Sequence, residues 1–397
     1  MVSNFKVVWL LSYISVASVS SAIITPALPQ IQSEFALGNG EVEWMVSAFL
    51  IGYVLGQLIY GPLANAYGRL KALRIGLIIN ILGILLCFMA LSIHSYVFLI
   101  FGRFITALGA AGGLACTFML INEWLPEAKR KMAMAYSILS FTIGIGLSVM
   151  IGGLVTQYWH WSGCFWILLF QGILMLWGTK AFSETLTHPQ PINFSMIFTG
   201  YKKALSSGQL LIFSLAWGYC SSVSYCFSAA APQIAVHSLG LTAAEYGYWN
   251  ILNIAGMFAG GLQAKALLDR YSPRQVITMG LVGCAVGLLS LIFLLQLNHP
   301  SALWFFLSTA SLFFFSGSLY AGGSFVASTS IEDRASGAAM MSFINMSTAT
   351  LTVIIMGYLS ANALLSFISI LVLLGGLTTV LLVYENLVLR KAHAGKH

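Results

Sequence analysis

Long apolar segments follow one another along almost the whole chain. A helix needs about 20 apolar residues to cross the hydrocarbon core of a bilayer. Only 7% of the 397 residues are charged, whereas soluble domains carry roughly a quarter. We therefore predict an all-α membrane protein. Its twelve transmembrane helices are predicted at 7–29, 42–64, 73–92, 96–120, 133–156, 161–182, 209–235, 244–267, 274–297, 302–326, 336–358 and 361–384.

The charged residues between these segments follow one pattern. If loops alternate sides from a cytoplasmic N-terminus, every Lys and Arg outside the segments lies on the cytoplasmic side. This is the positive-inside distribution of membrane proteins. The net charge of +7 therefore indicates topology, with both termini cytoplasmic in a cell inner membrane, rather than a nucleic-acid partner. We read the first segment as a retained span, because no small-residue cleavage site follows it. The charged residues on the opposite side are all acidic, namely Glu34, Glu41, Glu43 and Glu245.

An internal repeat divides the chain. The triplet PQI at 29–31 recurs at 232–234, and Gly52 and Gly56 match Gly256 and Gly260 at a shift of 204. The numbers of predicted spans that precede the two copies differ by an even number. Both copies therefore cross the membrane in the same direction, and the repeats are parallel. We predict two six-helix halves, residues 1–182 and 209–397, joined by a cytoplasmic linker at 183–208.

The stretch GPLANAYGR at 61–69 follows the second segment and suggests a tight turn between two closely packed helices. It resembles the signature loop of the major facilitator superfamily, usually Gly-x-Leu-Ala-Asp-Arg-x-Gly-Arg. In that family the acid caps a helix end and pairs with basic groups, which holds the outward-facing state closed on the cytoplasmic side. Here Asn65 and Ala66 replace the acid and the first base, so we expect any charge latch to depend on the second copy. The expected gating residues are Gly61, Asn65, Gly68, Arg69, Asp269 and Arg270.

Further motifs over roughly residues 20–130 narrow the resemblance. The stretches PALP (26–29), SAFLIGYVLGQL (47–58) and GRF (102–104) are similar to the bicyclomycin/chloramphenicol-resistance branch of the drug:proton antiporters. That likeness implies proton-driven export of a small organic compound by a monomer. The chain departs from the branch at Ala22, where an aspartate is usual, and at 148–153, where SVMIGG lacks the usual proline. We consequently expect no buried carboxylate within a span that could carry the proton.

Arg103 is the one charged residue predicted well inside a span, about 10 Å from its outer end at 1.5 Å per residue. An intramembrane arginine costs at least about 2.5–3.5 kcal/mol, so it should face a cavity or a partner. Thr106, Ala110, Gly113 and Thr117 lie on its stripe, which suits a water-lined face. The resemblance implies a role in proton coupling and substrate binding. The alternative is an arginine that only braces neighbouring helices through their carbonyls.

Other polar residues inside spans are candidates for the substrate cavity. An amide in hydrocarbon needs hydrogen-bond partners, although small hydroxyl residues more often serve helix packing. We expect no metal or cofactor, because the six cysteines lack ligand spacing and the four external histidines (94, 160, 237 and 299) are widely separated. The candidates are Gln57, Tyr225, Asn250, Asn253, Tyr320 and Asn345.

Other classes of protein fit the sequence less well. It contains no HExxH, GxSxG or phosphate-binding loop, which disfavours an enzyme. The two-fold repeat and the gating loop disfavour a channel. The expected partners are a small-molecule substrate, protons and the lipid bilayer. Facilitated or symport-type uptake of a small nutrient stays open because the usual carboxylate is missing. A sensor that binds a ligand without transporting it also stays open.

Overall fold

The structure is a computed structural model that describes residues 4–189, 191–297, 300–331 and 334–394. Side chains are described within these ranges except at 4, 127–132, 134–142, 334–335 and 388–394. His299 therefore lies outside the described residues. Every regular element in the described ranges is helical. The α-helices are α1 (Asn4–Ser12), α2 (Ser15–Ala22), α3 (Leu28–Glu34), α4 (Asn39–Val42), α5 (Trp44–Tyr67), α6 (Arg69–Ser92), α7 (Tyr96–Trp124), α8 (Glu127–Tyr158), α9 (Gly163–Gly178), α10 (Phe194–Leu205), α11 (Gly208–His237), α12 (Ala243–Trp249), α13 (Ile251–Leu268), α14 (Pro273–Leu295), α15 (Ala302–Thr329), α16 (Arg334–Gly357) and α17 (Ala363–Ala394).

The lengths and compositions of these helices are those of a multi-pass membrane protein. Within the described residues, 10 helices are long and apolar enough to cross a membrane, or up to 11 if a bent pair at the N-terminus counts as one span. The fully described apolar part of α8, Ile143–Tyr158, is shorter than a span. An all-helical membrane fold is confirmed, whereas the number of twelve spans stays a prediction.

The first predicted span is broken rather than continuous. Its two parts, Phe5–Ser12 and Ser15–Glu34, meet at an angle of 43°. The hydroxyls of Ser12, Ser15 and Ser18 each donate to the carbonyl three residues earlier. Such local bonds compete with the helix ladder and favour bends. A short 3-10 turn at Thr25–Ala27 follows and contains Pro26.

The stretch 61–69 is mostly helix, and the expectation of a loop there was wrong. α5 continues through Gly61, with Pro62 inside the helix, and ends at Tyr67. Only Gly68 forms the turn, with φ of +112°, a region that glycine tolerates far better than other residues. α6 begins at the next residue, so a single left-handed position suffices to reverse the chain. A Cβ at Gly61 would meet nothing within 4 Å, so close packing does not require glycine there.

The chain forms two compact units. The first comprises 1–193 and 232–251, and the second comprises 194–231 and 252–397. Residues 232–251 belong to the first unit because α12 packs against α8 and against the 3-10 turn at Thr25–Ala27. Gly153 on α8 permits this approach, since a Cβ there would run into the carbonyl of Ala243. The division into halves at 183–208 stays a prediction.

Glycines pack the helices in the same way in each unit. In the first unit, Cβ atoms added at Gly52 and Gly56 would strike the carbonyls of Phe104 and Leu108 on α7. Such small-xxx-small spacing lets helix backbones approach closely.

The second unit repeats this arrangement, with the glycines shifted by 204 residues and the carbonyls that they contact by 206. Cβ atoms added at Gly256 and Gly260 would strike the carbonyls of Ala310 and Phe314 on α15. The repeat seen in the sequence therefore corresponds to repeated helix packing.

Candidate functional site

Arg103 lies in the middle of the first unit and is completely buried. Its Nη1 donates to the carbonyl of Ser20 at 2.7 Å, and its Nε donates to that of Met45 at a long 3.4 Å. The guanidinium stands 4.6 Å from the centre of the Phe49 ring, a cation–π contact. The buried Nη2 atom has no hydrogen-bond partner. One part of the charge therefore joins α2, α5 and α7, while another part is unsatisfied.

The polar stripe around Arg103 is packed rather than wet in this conformation. The Thr106 hydroxyl donates to the Gly102 carbonyl at 2.8 Å, and Ala110 is wholly buried. A Cβ at Gly113 would meet the carbonyl of Tyr13. The expected water-lined face is thus occupied by the first span. Thr117, further along, is buried and its hydroxyl has no partner.

Glu43 is a buried carboxylate that the sequence placed at the periphery. It joins α4 to α5, is 5% exposed, and its Oε2 has no hydrogen-bond partner. It stands two residues before Met45, whose carbonyl binds Arg103. An unpartnered polar group away from water is costly and marks a position that warrants explanation. The expectation that no span holds a buried carboxylate is therefore wrong at the end of this span.

An ion pair lies at the C-terminal end of α7. The Arg69 Nη2 lies 2.7 Å from the Glu123 Oε1, and the Arg69 Nε donates to the Glu123 Oε2 at 3.0 Å. The Thr185 hydroxyl donates to the same carboxylate at 2.6 Å. We expected the first copy of the motif to lack a charge pair because of Asn65, which lies inside α5 near its C-terminus. The structure instead supplies the pair from Glu123.

Glu184 completes this cytoplasmic-motif cluster and was missed by the sequence interpretation. Its carboxylate accepts from the backbone N–H groups of Arg69 and Leu70 at 2.8 and 3.1 Å, at the N-terminus of α6. Partial burial acts to raise its pKa, but bonds from four backbone N–H groups outweigh that effect and hold the pKa of the carboxyl below its usual value. An acid directly after the sixth apolar segment, on an otherwise basic side, was the available signal.

The second copy of the motif is arranged differently. Asp269 and Arg270 are exposed in the turn between α13 and α14. The ion pair of this region joins Arg274 to Glu385 on α17, with the Arg274 Nε 3.1 Å from the Glu385 Oε2. The Arg274 guanidinium also lies 5.4 Å from the centre of the Phe213 ring. Whether Asp269 takes part in a latch stays a prediction.

The other candidate side chains are divided between the units. Gln57 in the first unit hydrogen-bonds Tyr53, and Asn250 is buried at the junction of α12 and α13. The Asn253 Oδ1 in the second unit accepts from the Thr309 hydroxyl at 2.8 Å, deep inside the protein.

The remaining candidates lie in the second unit. The Asn345 Oδ1 accepts from the half-buried Ser221 at 2.7 Å. Tyr320 is 39% exposed and packs edge-on against Trp217, with ring centres 5.5 Å apart. Tyr225 is half-buried. Asn253 and Asn345 are both buried and hydrogen-bonded inside the unit, whereas Tyr320 and Tyr225 keep exposed surface.

The histidines do not converge. His160 lies 3.5 Å from the Glu34 carboxylate, and His94 stacks on Phe35 with ring centres 4.7 Å apart. Over the described ranges, no group of three or more His, Cys, Asp or Glu side chains is arranged to hold a metal ion.

Apolar helices packed through repeated glycines, with an isolated buried arginine among them, define a polytopic helical membrane protein. The chain belongs to the Major Facilitator Superfamily, whose sequence pattern matches residues 10–225 and 212–396. This family is one of transporters rather than of enzymes.

Named relatives include efflux proteins. The chain is 31% identical to the multidrug resistance protein Stp of Mycobacterium tuberculosis (strain CDC 1551 / Oshkosh) over 191 residues, 48% of this chain and 33% of that protein. It thus spans about a third of the length of this relative. It is 24% identical to the multidrug transporter MdfA of Shigella boydii serotype 4 (strain Sb227), covering 72% of this chain and 70% of that one. It is 21% identical to a bicyclomycin resistance protein homologue of Haemophilus influenzae, covering 60% and 61%.

Solved structures share the fold. A D-xylose-proton symporter superposes with a TM-score of 0.72 at 17% identity, covering 95% of this chain and 97% of that one. A bacterial homologue of the human lysosomal transporter Spinster superposes with a TM-score of 0.71 at 16% identity, covering 96% and 95%. At these identities the likeness concerns the fold alone.

Proposed function

We propose that this protein is a secondary active transporter of the inner membrane that exports a small organic compound by alternating access, coupled to protons. The substrate is drug-like or a metabolite such as a siderophore. The proposed topology has twelve spans in two parallel-related halves, both termini in the cytoplasm, and a monomer as the working unit. The observation that carries the proposal is the buried Arg103 with one unsatisfied N–H group. The multidrug relatives support the direction of transport.

Arg103 is suited to a step of the transport cycle in which its hydrogen-bond partners change. A permanently structural arginine would be expected to have all of its donors satisfied, because buried unpaired donors are costly. The free Nη2 leaves one side of the guanidinium fork able to bind an anionic group of a substrate. Protonation elsewhere in the protein could equally draw the guanidinium away from the carbonyls of Ser20 and Met45. In either case, loading of the site would alter how α7 is held against α2 and α5.

The cluster of Arg69, Glu123 and Glu184 is the proposed cytoplasmic gate of the first unit. The ion pair ties α6 to α7, and Glu184 ties the segment after α9 to the start of α6. Opening toward the cytoplasm would have to break or carry along these bonds. Gly68 is the hinge on which α6 turns relative to α5. Among the substrate candidates, the partly exposed Tyr320, Tyr225 and Gln57 are stronger than the buried Asn253, Asn250 and Asn345.

Uptake is the second candidate. Ala22 stands where the resistance branch usually has an aspartate, and a D-xylose-proton symporter shares the fold. A nutrient symporter or facilitator would therefore need no change of architecture. A ligand sensor without flux is a third possibility, which the transport measurement below also tests.

The deciding experiment is transport in proteoliposomes under an imposed pH gradient, with a cationic dye, a drug panel and a siderophore-like anion as substrates. Proton-driven export predicts uphill flux opposite in direction to the proton flow, and loss of that flux when the gradient is dissipated. Downhill flux that is indifferent to pH would identify a facilitator. Saturable binding with no flux would identify a sensor.

A further inference from the structure

Helix α10, inside the predicted linker, is amphipathic. Three of its apolar residues form one exposed stripe, because Phe194, Phe198 and Leu205 fall within about 40° of one another at 100° per residue. Their exposed fractions are 79%, 70% and 41%. Large aromatic residues exposed together on one stripe mark an interaction surface.

A second side of α10, about 100° round the helix from the stripe, is fixed to protein, while Met196 and Lys203 on the side opposite the stripe are exposed. α10 packs against α16, and Ala204 on this side is completely buried. Because one side is docked on its own unit, the helix cannot turn the aromatic stripe inward. The stripe therefore faces away from its own unit, and only a partner outside that unit can cover it.

The length of chain between α10 and α11 sets the level of the stripe. Only Ser206 and Ser207 separate Leu205 from Gly208, where α11 begins. Three Cα–Cα steps of 3.8 Å cover at most about 11 Å. α11 is long and apolar enough to cross the membrane. The C-terminal end of α10 therefore lies at the surface of the bilayer into which α11 enters.

The charge of the segment complements an anionic surface. Lys202 is exposed about 40° beyond Phe198 and so lies beside the stripe, whereas Lys203 is exposed on the far side of the helix. No Asp or Glu occurs between Glu184 and Glu245 in the sequence. Helices that lie in a membrane surface combine an apolar face with lysines that reach toward anionic headgroups. Lysine stems can also lie along the apolar region while the ammonium stays at the phosphate level.

We propose that α10 is a membrane-surface helix, which inserts Phe194, Phe198 and Leu205 below the headgroups and binds anionic phospholipid through Lys202. The occupant of the stripe is thus the lipid leaflet, and a protein partner is the alternative outcome of the test. Only the choice of the cytoplasmic leaflet rests on the proposed topology. Since α10 is docked on α16, such anchoring would hold the membrane end of α16 at a fixed depth.

The test compares two adjacent positions in the full chain. Phe198→Cys and Thr199→Cys are each nitroxide-labelled in a background whose native cysteines are replaced and whose transport is retained. Both residues are exposed, and Thr199 lies on the other side of the helix from the stripe. In vesicles containing phosphatidylglycerol, the label at 198 should be accessible to oxygen and shielded from a water-soluble nickel chelate, and the label at 199 should show the reverse. Equal nickel access at both positions would show that the stripe lies in water. Shielding of position 198 from both reagents would show a protein cover. Either result overturns the proposal.

The lysines are tested with lipid composition. In vesicles of phosphatidylcholine alone the label at 198 should become several-fold more accessible to nickel than in phosphatidylglycerol vesicles. Adding Lys202→Gln should remove this dependence on the anionic lipid, whereas Lys203→Gln, on the far side of the helix, is the matched control and should leave most of it in place. A depth at 198 that does not change with phosphatidylglycerol before Lys202 is changed would overturn the anionic-lipid assignment.

Discussion

Replacement of Arg103 by alanine should separate stability from transport. The variant loses the 2.7 Å charge-assisted bond to the Ser20 carbonyl, worth about 1.5–3 kcal/mol. It also loses the contact with the Phe49 ring, worth about 1–2 kcal/mol. The 3.4 Å contact with the Met45 carbonyl is too long to add much. Against these losses, the variant no longer buries a charge, which costs about 2.5–3.5 kcal/mol. The net change should therefore lie between about −1 and +2.5 kcal/mol of destabilisation.

The transport rate should fall much further than a destabilisation of that size would explain. We expect Arg103→Ala to insert into the membrane and to unfold close to the wild-type temperature, but to carry substrate at the background rate. The assay is flux in proteoliposomes under a pH gradient, normalised to the folded protein measured by thermal unfolding.

Asn80→Ala is the matched control for a role in bracing alone. Asn80 is buried and donates to the Thr106 carbonyl of the same helix α7 at 2.9 Å. If Arg103 only braces α7, the two variants should lose flux in proportion to their loss of folded protein. Full flux in folded Arg103→Ala would refute its assignment to the transport cycle.

Three further predictions concern packing and the cytoplasmic cluster. Gly260→Ala should destabilise the protein by about 1–3 kcal/mol, because its Cβ would strike the backbone of Phe314, whereas Gly261→Ala, with nothing within 4 Å, should be neutral or slightly stabilising in thermal unfolding. Glu184→Gln should lower thermal stability at pH 7. Since the folded-state pKa of Glu184 is depressed, its stabilisation is present above the unfolded-state pKa and is lost as pH falls through the folded-state pKa, so the two melting curves should converge in acid. Glu123→Gln, which breaks the pair with Arg69, should slow the transport cycle more than Asp269→Asn, and the reverse order would restore the latch expected from the second copy of the motif.

The sequence predicts features that depend on long segments or on rare residues. Apolar length identifies the membrane helices, and Arg103 stands out because a charge inside a span is exceptional. The glycine repeat at a shift of 204 identifies helix contacts correctly, since only small residues allow that approach.

Features that depend on partners far apart in the chain could not be predicted from the sequence. Glu123 and Glu184 are 54 and 115 residues from Arg69, and nothing local links them. The burial of Glu43 likewise depends on how the short helix α4 meets α5. Helix α10 was missed because its apolar stripe is too short to resemble a span, and only its two-residue distance from α11 reveals its place at the membrane surface.

The repeat also shows where the two units differ in the chemistry of their side chains. With Gly52 matched to Gly256, Phe49 corresponds to Asn253. With the carbonyl of Phe104 matched to that of Ala310, Arg103 corresponds to Thr309. Both corresponding pairs are in contact: Arg103 lies over the Phe49 ring, and Thr309 donates to Asn253 at 2.8 Å. Helix packing has therefore preserved one contact in each unit while the side chains changed from a cation on a ring to a neutral hydrogen bond. Because only the first unit places a charge at this contact, we expect the proposed step that binds an anion or responds to a proton to take place there, whereas the corresponding contact of the second unit carries no charge.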